Sequence, residues 1–217
     1  MRQRIPETNE GIQGGFDTAD YDVFMKHMRD LGWLETGQII TAGICAGEAL
    51  EIGPGPGYLG LEWLKRCTDA ALTGLEISPN MIRIAKKNAQ DYGLSSRVHY
   101  VEGNAMKMPF ADGQFDAVFS NGSLHEWEDP LRVFGEVYRV LRPDGRYFIS
   151  DLRRDISLPA RVFMRLGTKP VSMKKGLKGS IDAAYTESEL VKMLSDLAFR
   201  EVSVKANAFG LWTCGMK

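Results

Sequence analysis

The sequence predicts an α/β fold: a single domain with a mostly parallel sheet, helices on both faces and an antiparallel strand pair at its C-terminal end. Three observations carry this expectation. Short apolar runs alternate with helical repeats through the middle of the chain. A glycine-rich loop separates the first of these runs from the helix after it. The chain has 217 residues and is 44% hydrophobic, enough for one full core, and one domain is the default at this length.

Each element follows in order. In "TADYDVFMKHMRDLGWL", Tyr21, Phe24, Met25, Met28 and Leu31 recur at helical spacing. "EALEIG" reads as the first strand, and a helix follows its glycine loop over Tyr58–Arg66. "AALTGLEIS" is the second strand, ending at Glu76. Ser78-Pro79 supplies an N-cap hydroxyl and a proline at the first helical position, opening a helix to about Tyr92. "RVHYVEG" and "FDAVFSNGS" are the third and fourth strands, with a helix from Pro130 to Leu141 after them. "RPDG" reads as a turn into a fifth strand, "RYFISD". Thr186 to Glu189 forms a capping box that opens a helix to about Leu197. "FREVSVKA" and "FGLWTCGMK" complete seven strands, joined by a turn at Asn207.

Composition narrows the classes. There are 27 basic and 28 acidic residues, a net charge of -1, which gives no sign of a nucleic-acid partner. Cys45, Cys67 and Cys214 contain no C-x-x-C pair, so neither a metal site nor a disulfide is expected; buried thiols in a cytoplasmic protein are. The N-terminal "MRQRIPETNEGIQGG" lacks the apolar core of a signal peptide, and no run is apolar enough to span a bilayer, so no membrane partner is expected.

The loop "EIGPGPG" holds Glu51 and three alternating glycines, Gly53, Gly55 and Gly57. Such a turn lets a ligand approach the backbone closely. Gly55-x-Gly57-x-x-Gly60 also fits the dinucleotide pattern, with Glu76 downstream. The prolines argue against that ligand, because Pro54 and Pro56 remove two N–H groups that a pyrophosphate would use. Glu51 likewise suits a cationic ligand better than an anionic one.

From Ala49 to Asp151 the chain resembles the class I S-adenosylmethionine-dependent methyltransferases. "LEIGPGPG" resembles their first motif, and "GLEISPNMIRIAKKNA" the second-strand segment. "VEGNAMKMPFADGQFDAVFSNGSLHEWEDP" and "LRVFGEVYRVLRPDGRYFISD" resemble the segments that follow. The nearest likeness is to small-molecule enzymes such as those of quinone biosynthesis. The resemblance implies a Rossmann-like sheet, S-adenosylmethionine as cofactor and S-adenosylhomocysteine as product. It places Gly53, Gly55 and Gly57 against the methionine and ribose parts and Glu51 near the methionyl ammonium. Glu76 would accept from both ribose hydroxyls, which a carboxylate can do at once. Ile77 and Met81 would pack on the adenine, Asn104 and Ala105 would meet its edge, and Asn121 would lie near the reacting methyl. The family often has Asp where this chain has Asn104.

The resemblance implies a division into a helical cap (1–48), a cofactor-binding core (49–151), a basic insertion or lid (152–185) and a C-terminal helix with two strands (186–217). His125, after the fourth strand, is either a general base or a pocket-shaping residue. From Ile156 to Ile181 there is no acidic residue, but Arg161, Arg165, Lys169, Lys174, Lys175 and Lys178 are present. That stretch is either solvated surface or a cover attracting an acidic acceptor. Methyl transfer to a small molecule is the expected activity. The rivals are a cofactor-binding protein without turnover, a nicotinamide-dependent oxidoreductase and a macromolecular methyltransferase, which the basic stretch leaves open.

Overall fold

The structure, a computed structural model, describes residues 3–6 and 15–217. Helix α1 (Gly15–Asp30) and the short α2 (Thr36–Thr41) precede strand β1 (Gly47–Ile52). Then come α3 (Tyr58–Arg66), β2 (Ala70–Glu76), α4 (Pro79–Asp91), β3 (Val98–Glu102) and β4 (Phe115–Asn121). A single helical turn at Leu124–Glu126 leads to α5 (Pro130–Val140) and β5 (Leu141–Leu152). Helices α6 (Leu158–Gly167), α7 (Met173–Ala183) and α8 (Glu187–Leu194) precede β6 (Arg200–Ala206) and β7 (Gly210–Met216).

Local chemistry sets the helix starts. Ser78 Oγ accepts the Met81 N–H, and Pro79 occupies the first turn of α4. Asp129 does the same for α5 through the Arg132 N–H, ahead of Pro130. Thr186 and Glu189 complete a reciprocal capping box on α8.

The seven strands form one sheet in the order β3-β2-β1-β4-β5-β7-β6. The first five are parallel, while β7 runs antiparallel to both its neighbours. Strand alternation divides the core between the two faces. Tyr147 packs with Phe134 and Phe199 on one face, whereas its neighbour Phe148 joins Trp63 and Phe119 on the other. The ring centroids of Tyr147 and Phe199 lie 4.5 Å apart, and those of Trp63 and Phe119 5.3 Å apart.

Three expectations need correction. Cys45 and Cys67 are bonded as a disulfide, with Cα atoms 5.0 Å apart. The reason is the β1–α3–β2 unit: Cys45 precedes β1, Cys67 caps the end of α3, and the start of β1 pairs with the start of β2, Gly47 with Ala70. Segment 152–185 holds helices α6 and α7. The "RPDG" turn is absorbed into β5, which starts at Leu141 and takes up the turn as an irregularity with Asp144 at φ 63°. Helix α8 ends at Leu194, before Leu197.

Candidate functional site

Strand order reverses between β1 and β4, and a cleft opens beyond the carboxyl ends of these strands. The loop after β1 forms one wall. Gly53, Gly55 and Gly57 all have left-handed φ, at 65°, 53° and 86°. Side chains would not fit there in any case. A Cβ on Gly53 would come within 2.2 Å of Ser123 Oγ, and one on Gly57 within 2.6 Å of the Tyr100 hydroxyl.

The backbone donors of this loop are already used. The Gly53 N–H goes to the Leu75 carbonyl, the Gly57 N–H to the Pro54 carbonyl and the Gly55 N–H to Glu76 Oε2. Pro54 and Pro56 have none. No N–H from 53 to 57 is left for a ligand.

Glu76 ends β2 and lines the cleft. Its Oε2 accepts from Gly55 at 3.0 Å and its Oε1 from Ser78 N–H at 2.9 Å. Burial raises its pKa, and the Ser78 and Gly55 N–H groups oppose that shift. Ile77, Met81, Asn104 and Ala105 line the same cleft, as do Gly53 and Gly55. The Asn104 side-chain oxygen accepts the Met106 N–H at 2.8 Å, which folds residues 104–106 into a tight turn.

Glu51, Gly57, Asn121 and His125 are not on the cleft lining. Glu51 is buried on the α3 side of β1, so close to Gly60 that a Cβ there would lie 2.2 Å from its Oε2. That oxygen has no hydrogen-bond partner among the described residues. Burial and the charge of Glu76 push Glu51 up to about 8. Asn121 Nδ2 donates to Glu35 Oε2 at 2.8 Å and to Ser150 Oγ at 2.9 Å. Burial and then the charge of Asp151 push Glu35 up to about 7.

His125 is buried behind the cleft. Its Nδ1 lies 2.8 Å from Asp151 Oδ1, and its Nε2 4.0 Å from Glu126 Oε1. Asp151 also accepts the His125 backbone N–H at 2.7 Å. Arg4 fixes the same turn from the far side, donating to the carbonyls of His125 and Ala183.

Tyr21, on α1, reaches over the loop: a Cβ on Gly55 would meet its ring at 3.1 Å. Burial raises its pKa, as do the charges of Glu126, Glu76 and Asp151. Sequence reasoning passed over Glu35, Glu126 and Asp151. Asp151 carried a signal, since it sits at the carboxyl end of a parallel strand beside β4. Glu35, between two helices, carried none.

Residues 50–149 match the methyltransferase domain family. The chain is 35% identical over 102 residues to a demethylmenaquinone methyltransferase of Thermus thermophilus, covering 47% of this chain and 46% of that protein. It is also 35% identical over 105 residues to the methyltransferase GfsG of Streptomyces halstedii, covering 48% of this chain and 37% of that one. The chain thus spans about half or less of these curated relatives. Among solved structures, a SAM-dependent methyltransferase from Aquifex aeolicus superposes with a TM-score of 0.72 at 18% identity. That match covers 94% of this chain and 99% of that one, and shows the shared fold.

Proposed function

We infer that this chain, whose residues 50–149 are a methyltransferase domain, moves a methyl group from S-adenosylmethionine to a small-molecule acceptor and leaves S-adenosylhomocysteine. The observation that carries the reading is the spent loop. A cleft whose glycine turn offers no free N–H over 53–57 suits a ligand without phosphate at that point. The same fact counts against the nicotinamide dinucleotide alternative.

The residues present fit the cofactor. Each Glu76 oxygen accepts one backbone N–H and keeps a second lone pair, so the carboxylate can take both ribose hydroxyls. Ile77 and Met81 offer an apolar wall for the adenine, with Asn104 and Ala105 at its edge. When bound, the cofactor supplies an electrophilic sulfonium methyl. The protein's part is to hold the acceptor in line and exclude water. Tyr21 and α1 roof the loop, which serves the second task. Glu51 lies on the α3 side of β1 and off the cleft lining, so its place near the methionyl ammonium is through water rather than direct. His125 is the candidate base for an acceptor that must lose a proton, a role that needs the turn carrying Ser123 and Glu126, which line the cleft, to bring its buried ring to the acceptor. Asp151 at Nδ1 fixes the imidazole so that Nε2 is the atom that accepts.

Relatives named for demethylmenaquinone and erythromycin support a small-molecule acceptor. An acidic acceptor draws no support from the cleft, whose lining includes Glu76, Glu126 and Glu128 and no basic residue. Helices α6 and α7 are proposed as the cover on the acceptor side, because Ser172 bonds Asp20 of α1 and the Ile5 N–H bonds the Asp182 carbonyl. No helix among the described residues is long and apolar enough to cross a membrane. The Cys45–Cys67 bond weighs against a cytoplasmic place of action, and thiol titration of freshly isolated protein tests it.

The test is a calorimetric titration with S-adenosylhomocysteine, with NAD in parallel. Binding of the first alone is expected. Binding of NAD alone would overturn the reading. Binding of S-adenosylhomocysteine without methyl release to any acceptor would favour a binding protein without turnover.

A further inference from the structure

Helix α6 exposes its apolar side. Leu158, Val162 and Leu166 follow at four-residue spacing on one stripe, and Leu158 and Leu166 are 73% and 70% exposed. The opposite side of the helix already has its core: Ala160 and Met164 pack with Ile156 and Ile181. The outward stripe is therefore surplus to folding. It continues into an exposed aromatic row. Phe163 lies between Trp33, at 6.2 Å, and Phe209, at 5.5 Å, and all three rings are at least 41% exposed. Monomeric proteins seldom leave such a contiguous patch without use.

The charge of the α6–α7 segment itself is one-sided, although Asp20 of α1 bonds Ser172 within it. Six cations and no carboxylate fall between Ile156 and Ile181, in a molecule whose net charge is only -1. Arg161 and Lys178 are met by Asp182. Arg165, Lys169, Lys174 and Lys175 have no carboxylate partner among the described residues. Their long apolar stems can lie along a surface while the charged heads stay wet.

We propose that the α6–α7 segment, with Trp33 and Phe209, docks on the surface of an anionic lipid bilayer. Leucine, phenylalanine and tryptophan enter the interface, and the surrounding lysines and arginines meet the headgroups. Charge selects this occupant over a second copy of the chain. A two-fold contact through the same patch would press each copy's cations against their own duplicates. The docked state differs from spanning, for which no described helix qualifies. It would set the roof of the cleft against the bilayer, so that an acceptor dissolved in lipid could enter without crossing water.

The proposal is tested by sedimenting the full chain with vesicles of equal parts phosphatidylglycerol and phosphatidylcholine, and with phosphatidylcholine alone. Binding to the anionic vesicles is expected, and added salt should weaken it. Leu158→Glu/Leu166→Glu should bind them about tenfold more weakly, and Lys174→Glu/Lys175→Glu should also bind less. Both variants should keep the parent melting temperature and affinity for S-adenosylhomocysteine, since none of these residues lines the cleft. Two results would overturn the proposal: wild-type protein that ignores anionic vesicles, or a dimer in ultracentrifugation that Leu158→Glu/Leu166→Glu dissolves while vesicle binding is absent. The cofactor titration is read separately, so failure of docking leaves methyl transfer standing.

Discussion

Glu76 has two tasks, and Glu76→Ala removes both. Its carboxylate braces the Gly55 and Ser78 N–H groups and faces the cleft. Glu76→Ala should weaken S-adenosylhomocysteine binding by at least about tenfold in calorimetry, the loss expected for hydrogen bonds to a charged group. The circular dichroism spectrum should be unchanged, and undiminished affinity would remove Glu76 from the ribose role. Glu51 makes a different prediction. Its folded-state pKa, about 8, lies above the ordinary 4.5, so across that window the folded protein holds a proton that the unfolded chain has released. Stability then falls as pH rises from 4.5 towards 8. Glu35, pushed up to about 7, adds to the same slope. In thermal melts, Glu51→Gln should flatten this decline. An equal slope in both proteins would mean that Glu51 is ionised in the fold.

At the scale of the element, α3 sits where it does because Gly60 has no side chain. A Cβ there would fall 2.2 Å from Glu51 Oε2 and 2.4 Å from Leu72 Cδ2. Gly60→Ala should destabilise the protein by about 1–3 kcal/mol, the usual effect of overpacking, measured by denaturant unfolding. The elements that punctuate themselves were legible: Ser78-Pro79, Asp129-Pro130 and the Thr186 capping box mark helix starts in the sequence as they do in the structure. Helices α6 and α7 were not, because the apolar stripe of α6 points outward and α7 carries Gly176 and Gly179, so no inward-facing period stands out. The site was half legible for a related reason. Motif position shows that Glu51 ends a strand but not which way it faces. Its parity with Ala49, which packs under α3, was the available clue. The hydrogen bonds of the loop glycines depend on Leu75 and Glu76 across the sheet and could not be read locally.

At the scale of the molecule, the disulfide and the sheet order govern assembly. Cys45 and Cys67 close a loop across 22 residues, and removing both thiols with alanine should cost about 3 kcal/mol. That corresponds to a melting point lower by about 6–12 °C for a chain of this size, unless the protein is reduced where it works, in which case the variant matches the reduced parent. Sheet order has a further consequence in time. Strand β7 lies between β5 and β6, although it follows β6 in the chain. A ribosome delivers Arg200–Ala206 first, and that segment has no partner in the sheet until the seven residues of β7 emerge. Until then the flank of β5 also stays open. Both edges close in one step, so during synthesis this half of the sheet stays unpaired until β7 has left the ribosome.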